Sequence, residues 1–356
     1  MSQISIIKYK NEYKQDLIKF LAFFYNSLDY EERKRLFEWR YENNPYTKYP
    51  YIYLAFDKEE IVGFRAFVIQ KFTLKDKEFL LGTPADAVVH PQYRRKGIFS
   101  KLTEFALSDM YQNSNVRFLV SLSANDASEA GNVKLGFVPI GRRKYMFLVS
   151  TLNALKTSFR DNVFQNKYSV SLKEDIKIEI SKELRSKEIS KLMNKFLDKN
   201  KIRNVKDVVF YEWAWGSSPY EYTYAYCTRK NELVGYICLE KKSSFLYSLI
   251  EYGYTEPKFL HQLIKTTSKK LSIPLLRLYI FTKNQNEISM FNNYGFQGEN
   301  NISMKLFKKI NLLKIDDGAG MLIKPISEDT KNEDFMIDNE DTRLSHNWYL
   351  FPSDSH

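Results

Sequence analysis

Hydrophobic residues along the chain fall into short runs that alternate between a strand-like period of two and a helical spacing. "ISIIKY" (4–9) reads as a strand and "YKQDLIKFLAFFY" (13–25) as a helix. The aromatic-rich run "YIYLAF" (51–56), the polar "DKEE" and a run opened by "IVGF" (61–64) predict two strands around a charged turn. Further on, an apolar strand ends in "ADAVVHP" and "IFSKLTEFAL" opens an amphipathic helix. Its predicted buried stripe is Ile98, Leu102, Phe105 and Ala106, which recur at helical spacing.

This order of elements occurs twice. "FEWRYENNPY" (37–46) and "YEWAWGSSPY" (211–220) share Glu-Trp, an aromatic two places later, and Pro-Tyr after three more residues. A strand and a helix precede each, and in the second case these are "IKIEI" and "RSKEISKLMNKFL". A hairpin follows each, the second built from "YTYAYC" (222–227), "RKNE" and "LVGY" (233–236). Downstream, "NDASEAGNVKLGF" (125–137) and "NQNEISMFNNYGF" (284–296) both begin with Asn and end in Gly-Phe. Such an ordered series predicts two copies of one α/β unit, over 1–150 and 174–312. Residues 151–173, without glycine or proline, read as an ordered connector. Residues 313–356 read as a tail with one strand, "MLIKPI", and a loop-rich acidic stretch with a mobile middle.

A chain of 356 residues, 44% hydrophobic, can bury a core in each half. Its two cysteines, Cys227 and Cys238, make neither a disulfide framework nor a metal-ligand spacing. The start "MSQISIIKYKNEY" lacks a signal-peptide layout, and "FLAFFY" is too short to span a bilayer, so a cytoplasmic protein is expected. The net charge of +11 favours an anionic ligand. Acidic residues are interleaved with the lysines and no nucleic-acid reader motif occurs, so no nucleic-acid partner is expected.

The chemistry concentrates in "QYRRKGIF" (92–99), between a strand and a helix. Glycine at such a turn allows close backbone approach, and a helix start offers unpaired N–H groups to an anion. A charged surface turn is the other reading, since no G-x-G-x-x-G and no Walker loop is present. Only the first copy has this turn; the second has "SLIEYGYTEPKFLHQLIKTT" in its place. Asp86 is the acidic residue nearest the strand's end, either a general base or a carboxylate fixing the strand.

"VHPQYRRKGIF", followed by Asn125 through "KLGF", resembles the GNAT acyltransferase superfamily and its Gln/Arg-x-x-Gly-x-Gly/Ala signature. The resemblance implies an α/β fold of α+β type: two GNAT-like domains, each a mixed, mostly antiparallel twisted sheet flanked by helices. It implies transfer of an acetyl group from acetyl-CoA, or another acyl from its acyl-CoA, to a primary amine without a metal. An amino sugar is the first expectation for the acceptor. Ala87, Val88 and Val89 would pair with pantetheine, and Arg94 with the backbone of Arg95, Lys96, Gly97, Ile98 and Phe99 would hold the pyrophosphate. Asn125 and Ser128 would face the cofactor, and Trp39, Tyr41 and Asn44 fall where the family places acceptor-contacting loops. The repetition of Glu-Trp in the half lacking the turn favours a structural role for that motif. Asp354 is a further candidate base, since some tandem relatives bring a C-terminal carboxylate to the site. The sequence departs from the family at Phe99, where Gly or Ala is usual, and at Asn132, where a proton-donating tyrosine often stands. The alternative is a catalytically inactive GNAT-like scaffold with a binding or sensing role.

Overall fold

The computed structural model describes residues 4–25, 27–150, 167–172, 175–281, 284–298 and 319–355. Among them, β1 (Ile4–Lys8), β2 (Tyr51–Asp57), β3 (Glu60–Leu74) and β4 (Lys77–Val89) pair antiparallel in sequence order. β5 (Val116–Ala124) joins β4 in parallel. The parallel step needs a crossover, supplied by α3 (Ile98–Asn113). Ahead of the hairpin, α1 (Lys14–Phe24) buries Leu17, Ile18 and Leu21, and α2 (Tyr30–Phe37) starts on a capping box between Asp29 and Glu32. α3 buries Ile98, Leu102, Ala106 and Met110, a row of i, i+4 positions, together with Thr103. Phe105 falls at the margin of that row and is 39% exposed, against the expectation of a buried residue. After α4 (Asp126–Lys134), β6 (Val138–Val149) runs antiparallel to its neighbours.

The second half repeats the order. β7 (Lys167–Ser171) and β8 (Ile176–Ser181) open it, with β9 (Arg203–Asn204) a short strand on β3. Then come β10 (Tyr222–Arg229), β11 (Glu232–Lys241), β12 (Leu246–Tyr254) and β13 (Leu275–Phe281). The pairings β8–β10–β11–β12 are antiparallel and β12–β13 is parallel, as in β1 to β5. Most of the predicted connector lies outside the described residues; its last part, Lys167–Ser171, is a strand paired with β8.

The two halves exchange strands. β15 (Gly320–Pro325), from the tail, inserts between β5 and β6 and pairs antiparallel with both. β6 is longer than one half needs. Its first part pairs with β15, and from Arg143 to Val149 it pairs with β13. β14 (Gln297–Gly298) lies on the other flank of that second part. The first half therefore lends β6 to the slot beyond the second half's fifth strand, the tail lends β15 to the slot beyond the first half's fifth strand, and among the described residues 15 strands form one continuous sheet. The acidic stretch of the tail is folded rather than mobile. A short helical turn and the hairpin Met336–Ile337 with Glu340–Asp341 bury Phe335 and Ile337. Asp338 is ion-paired to Lys75 and Lys77 of the first half.

The repeated Glu-Trp segments form a second seam. Both are π-helical turns, Glu38–Glu42 and Glu212–Gly216, closed by bonds from Asn43 N to Glu38 O and from Ser217 N to Glu212 O. The glutamates tie each turn back to the preceding long helix or its start, Glu38 through Lys14 and Glu212 through Ser186. Trp39 Nε1 donates to the Trp213 carbonyl at 2.7 Å, and Trp213 Nε1 returns a bond to the Trp39 carbonyl at 3.0 Å. Their rings stack with centroids 5.9 Å apart. A buried indole N–H left unpaired is costly, so each half satisfies the other.

A continuous sheet predicts one cooperative unfolding transition for both halves. Met321→Ala in β15, at a fully buried position, should cost about 2–5 kcal/mol. In thermal denaturation it should lower a single transition; two separate transitions, only one of them moved, would contradict the exchange.

Candidate functional site

β4 and β5 pair only over Leu80↔Val116, Leu81↔Phe118 and Gly82↔Leu119. Beyond Gly82 they part. β4 continues to Val89 with β3 alone as a neighbour, while β5 continues to Ala124 with β15 as its partner. Two strand edges thus face each other across a wedge with their N–H and C=O groups unsatisfied by the sheet. The wedge opens into a cleft of about 500 Å³ lined by Phe24, Tyr25, Ala87, Val88, Val89, Arg94, Phe99, Asn125 and Ser128.

At its mouth the chain turns into α3. His90 caps the short helical turn Pro91–Tyr93, and Tyr93 anchors that turn through a 2.6 Å bond to Asp57. Arg94 Nε donates to the Val89 carbonyl at 3.2 Å. Gly97 has φ +73°, a left-handed conformation that costs a glycine nothing, and a Cβ there would meet no atom within 4 Å. No side chain caps α3, so its first N–H groups and its dipole are offered to a ligand. Ile98 anchors the helix start in the core, whereas Arg95 and Lys96 are exposed. On the opposite wall Asn125 caps α4, accepting from Ser128 N at 2.9 Å.

Residues 7–128 match the family model of the acetyltransferase (GNAT) domain. The chain carries a GNAT domain. Curated protein sequences give no match. Among solved structures, similarity extends over both halves. A conserved Enterococcus faecalis protein named a probable N-acyltransferase has a TM-score of 0.61 at 10% identity, covering 91% of this chain and 73% of that one. A GCN5-related N-acetyltransferase from Anabaena variabilis has a TM-score of 0.57 at 12% identity, with 91% and 73% covered. A tandem GNAT protein from the clavulanic acid biosynthesis pathway has a TM-score of 0.55 at 9% identity, with 92% and 100% covered. At these identities the likeness is one of fold, and it spans the paired arrangement.

Inside the GNAT domain, Phe99 is accommodated by a glycine on α4: a Cβ at Gly131 would lie 3.0 Å from its ring. Arg65 of β3 covers the other side of that ring at 4.7 Å and reaches Asn132 Oδ1 at 3.5 Å. Burial lowers the Arg65 guanidinium to about 10, with Tyr41, Tyr25 and Asp86 opposing. Asn132 is itself buried.

Asp86 stands next to the lining residue Ala87. Its Oδ2 accepts from Tyr41 at 2.6 Å and pairs with Arg40 at 3.0 Å. Both partners come from the first π-helical turn. Burial, then the Asp86 charge, holds the Tyr41 hydroxyl well above its usual range. Of the acceptor-side expectations, only Tyr41 reaches a group beside the cleft. Trp39 is engaged in the seam, and Asn44 donates to the Ile69 carbonyl at 2.9 Å. The structure adds Phe24 and Tyr25 from the end of α1, and Arg40. Three adjacent aromatics, Phe23 to Tyr25, cannot all face one core, and that crowding was the available signal. Desolvation pushes the Tyr25 hydroxyl up to about 12, so it stays protonated at neutral pH.

The second half has closed its corresponding opening. β12 and β13 also part, after Leu249↔Leu278. There Tyr252 hydrogen-bonds Glu287 and packs on Phe291 and on Phe351 of the tail. The registers Gly63↔Val89 and Gly235↔Tyr254 place Glu251 where Asp86 stands in the first half. Glu251 is held by the fully buried Lys206 at 2.7 Å, and Lys206 also binds Asp354 at 2.5 Å. Burial pushes the Asp354 carboxyl up, with Lys206 opposing. Asp354 is thus a bolt for the tail in the second half.

Glu287 is raised by burial from 4.5 to about 8, so the folded protein holds its proton where the unfolded chain has lost it. Proton binding then favours the folded state, and stability should fall as pH rises from 4.5 to about 8. Thermal melts of Glu287→Gln across that window should show a flatter pH dependence than the parent. Parallel profiles would remove Glu287 as the cause.

Proposed function

We propose that the protein transfers an acetyl group, or another acyl group, from acyl-CoA to a primary amine at the cleft of its first half. The observation that carries this reading is the wedge itself: two unpaired strand edges leading to an uncapped helix start with Gly97 open at the turn. These residues fit such a donor. The β4 edge over Ala87, Val88 and Val89 would take the pantetheine amides. Arg94 and the backbone N–H groups of Arg95, Lys96, Gly97, Ile98 and Phe99 would take the pyrophosphate, with Asn125 and Ser128 across the cleft. The thioester supplies an activated acyl carbon.

The chain's own residues then position and move protons. As the amine nitrogen bonds to the acyl carbon, the carbon–sulfur bond breaks and sulfur leaves with the electron pair. Asp86 has one oxygen committed to Tyr41 and Arg40. Its other oxygen accepts the amine proton. Tyr25, protonated at neutral pH, gives a proton to the departing sulfur, and exchange with solvent resets both groups. Asn132, buried against Arg65, is not needed for that step. The reading places the protein in the cytoplasm, where acyl-CoA is available, and an amino sugar is the acceptor we favour.

Calorimetry with acetyl-CoA tests the donor site. The parent should bind, and Gly97→Leu, which fills the turn and strains its backbone, should weaken binding by more than about tenfold. Normal binding by that variant would detach the turn from the donor, and no binding by the parent would end the reading.

Thiol release with a panel of primary amines tests the chemistry. Asp86→Asn should keep donor binding and lose about 10²- to 10⁴-fold in kcat, and Tyr25→Phe should lose less. An Asp86→Asn variant with full turnover would exclude Asp86 as the base.

A further inference from the structure

A second cavity, of about 200 Å³, draws its walls from both halves. Arg40 contributes from the first half; Tyr220, Tyr222, Glu240, Arg277 and Tyr279 contribute from the second. A short series of residues links this cavity to the cleft. Ala87 lines the cleft, its neighbour Asp86 pairs with Arg40 at 3.0 Å, and Arg40 lines the cavity.

The charges around the cavity do not cancel. Arg40 is neutralised by Asp86, and Lys242, also on the wall, is neutralised by Glu240. Arg277 is left over. Its Nε donates to Ser248 Oγ at 2.7 Å, and its guanidinium lies against the Tyr145 and Tyr279 rings at 5.5 and 5.8 Å. No carboxylate among the described residues forms an ion pair with it. Those contacts fix the plane of the group, and among the described residues no acceptor takes its terminal nitrogens. A guanidinium oriented in this way binds a carboxylate or phosphate through paired hydrogen bonds. Aromatic walls next to it suit the flat faces of a sugar or the carbon chain between two polar ends.

We infer that this cavity is the acceptor subsite, and that Arg277 selects primary amines carrying a carboxylate or phosphate group. The inference rests on the acyl-transfer reading above for the amine's role. With its anion on Arg277, the acceptor extends towards Arg40 and Asp86, which brings its nitrogen to the side of the wedge where the thioester is attacked.

Matched acceptors test it: glucosamine against glucosamine 6-phosphate, and hexylamine against 6-aminohexanoate. The anionic member of at least one pair should be favoured about tenfold or more in kcat/KM, chiefly through KM, and which pair responds tells phosphate from carboxylate. Arg277→Met should erase the preference and Arg277→Lys keep part of it, both binding acetyl-CoA as the parent does, which shows that they are folded. Equal kcat/KM within both pairs, or a preference untouched in Arg277→Met, overturns the subsite. Calorimetric binding of glucosamine 6-phosphate and 6-aminohexanoate to the CoA-loaded protein separates the two readings. If either anion binds the parent and not Arg277→Met while no thiol is released, the subsite stands and the acyl-transfer reading fails. If neither binds and no pair shows a preference, the subsite fails whatever the donor site does.

Discussion

A gap between two strands in the middle of a sheet is held open only if each strand keeps a partner on its far side. β4 has β3 there by simple hairpin succession, as most antiparallel strands do. β5 has β15, drawn from the far end of the chain. Without β15 the last residues of β5 would have free edges on both flanks and would gain hydrogen bonds by closing onto β4. The cleft is thus an open register maintained by pairing elsewhere. The turn at Gly97 and the cap at Asn125 are placed by the two strands so held.

The second half shows what happens when the same frame is filled. Where the first half presents the small Ala87 to the wedge, the second presents Tyr252 to Glu287, Phe291 and Phe351. Where Asp86 meets solvent-accessible space, Glu251 is sealed by Lys206 and Ser353. Removing one partner of a buried charge cluster leaves the others uncompensated, so this arrangement is worth more as a fastening than as a stabilising contact. The half whose opening is filled serves as a mooring for the tail.

Much of this was legible in the residues. The repeat is visible because each half must bury the same stripe and cap the same π-helical turn, and Glu38–Trp39 and Glu212–Trp213 carry that demand. The basic-glycine turn is visible because a left-handed position between strand and helix admits few residues besides glycine. The strand exchange was not legible. The "MLIKPI" run predicts a strand but says nothing about its neighbours, since β15 pairs with residues far away in the chain. Arg40 and Arg277 escaped notice for a related reason: a surface-type arginine becomes informative only when the fold shows which carboxylates it meets. Phe105 and the acidic tail were misread because local pattern cannot see which face a distant segment will cover.

The order of synthesis gives the strand exchange a temporal meaning. The ribosome delivers β5 and the Gly97 turn early, yet the strand that holds β5 in place spans Gly320–Pro325, after the whole second half. Domains usually fold as they emerge, N-terminal first. Here the first half must wait until β15 has been made, so a product terminated before Gly320 lacks a finished cleft. Covalent order thereby acts as a checkpoint: a molecule whose cleft is held open is one that already possesses the second half.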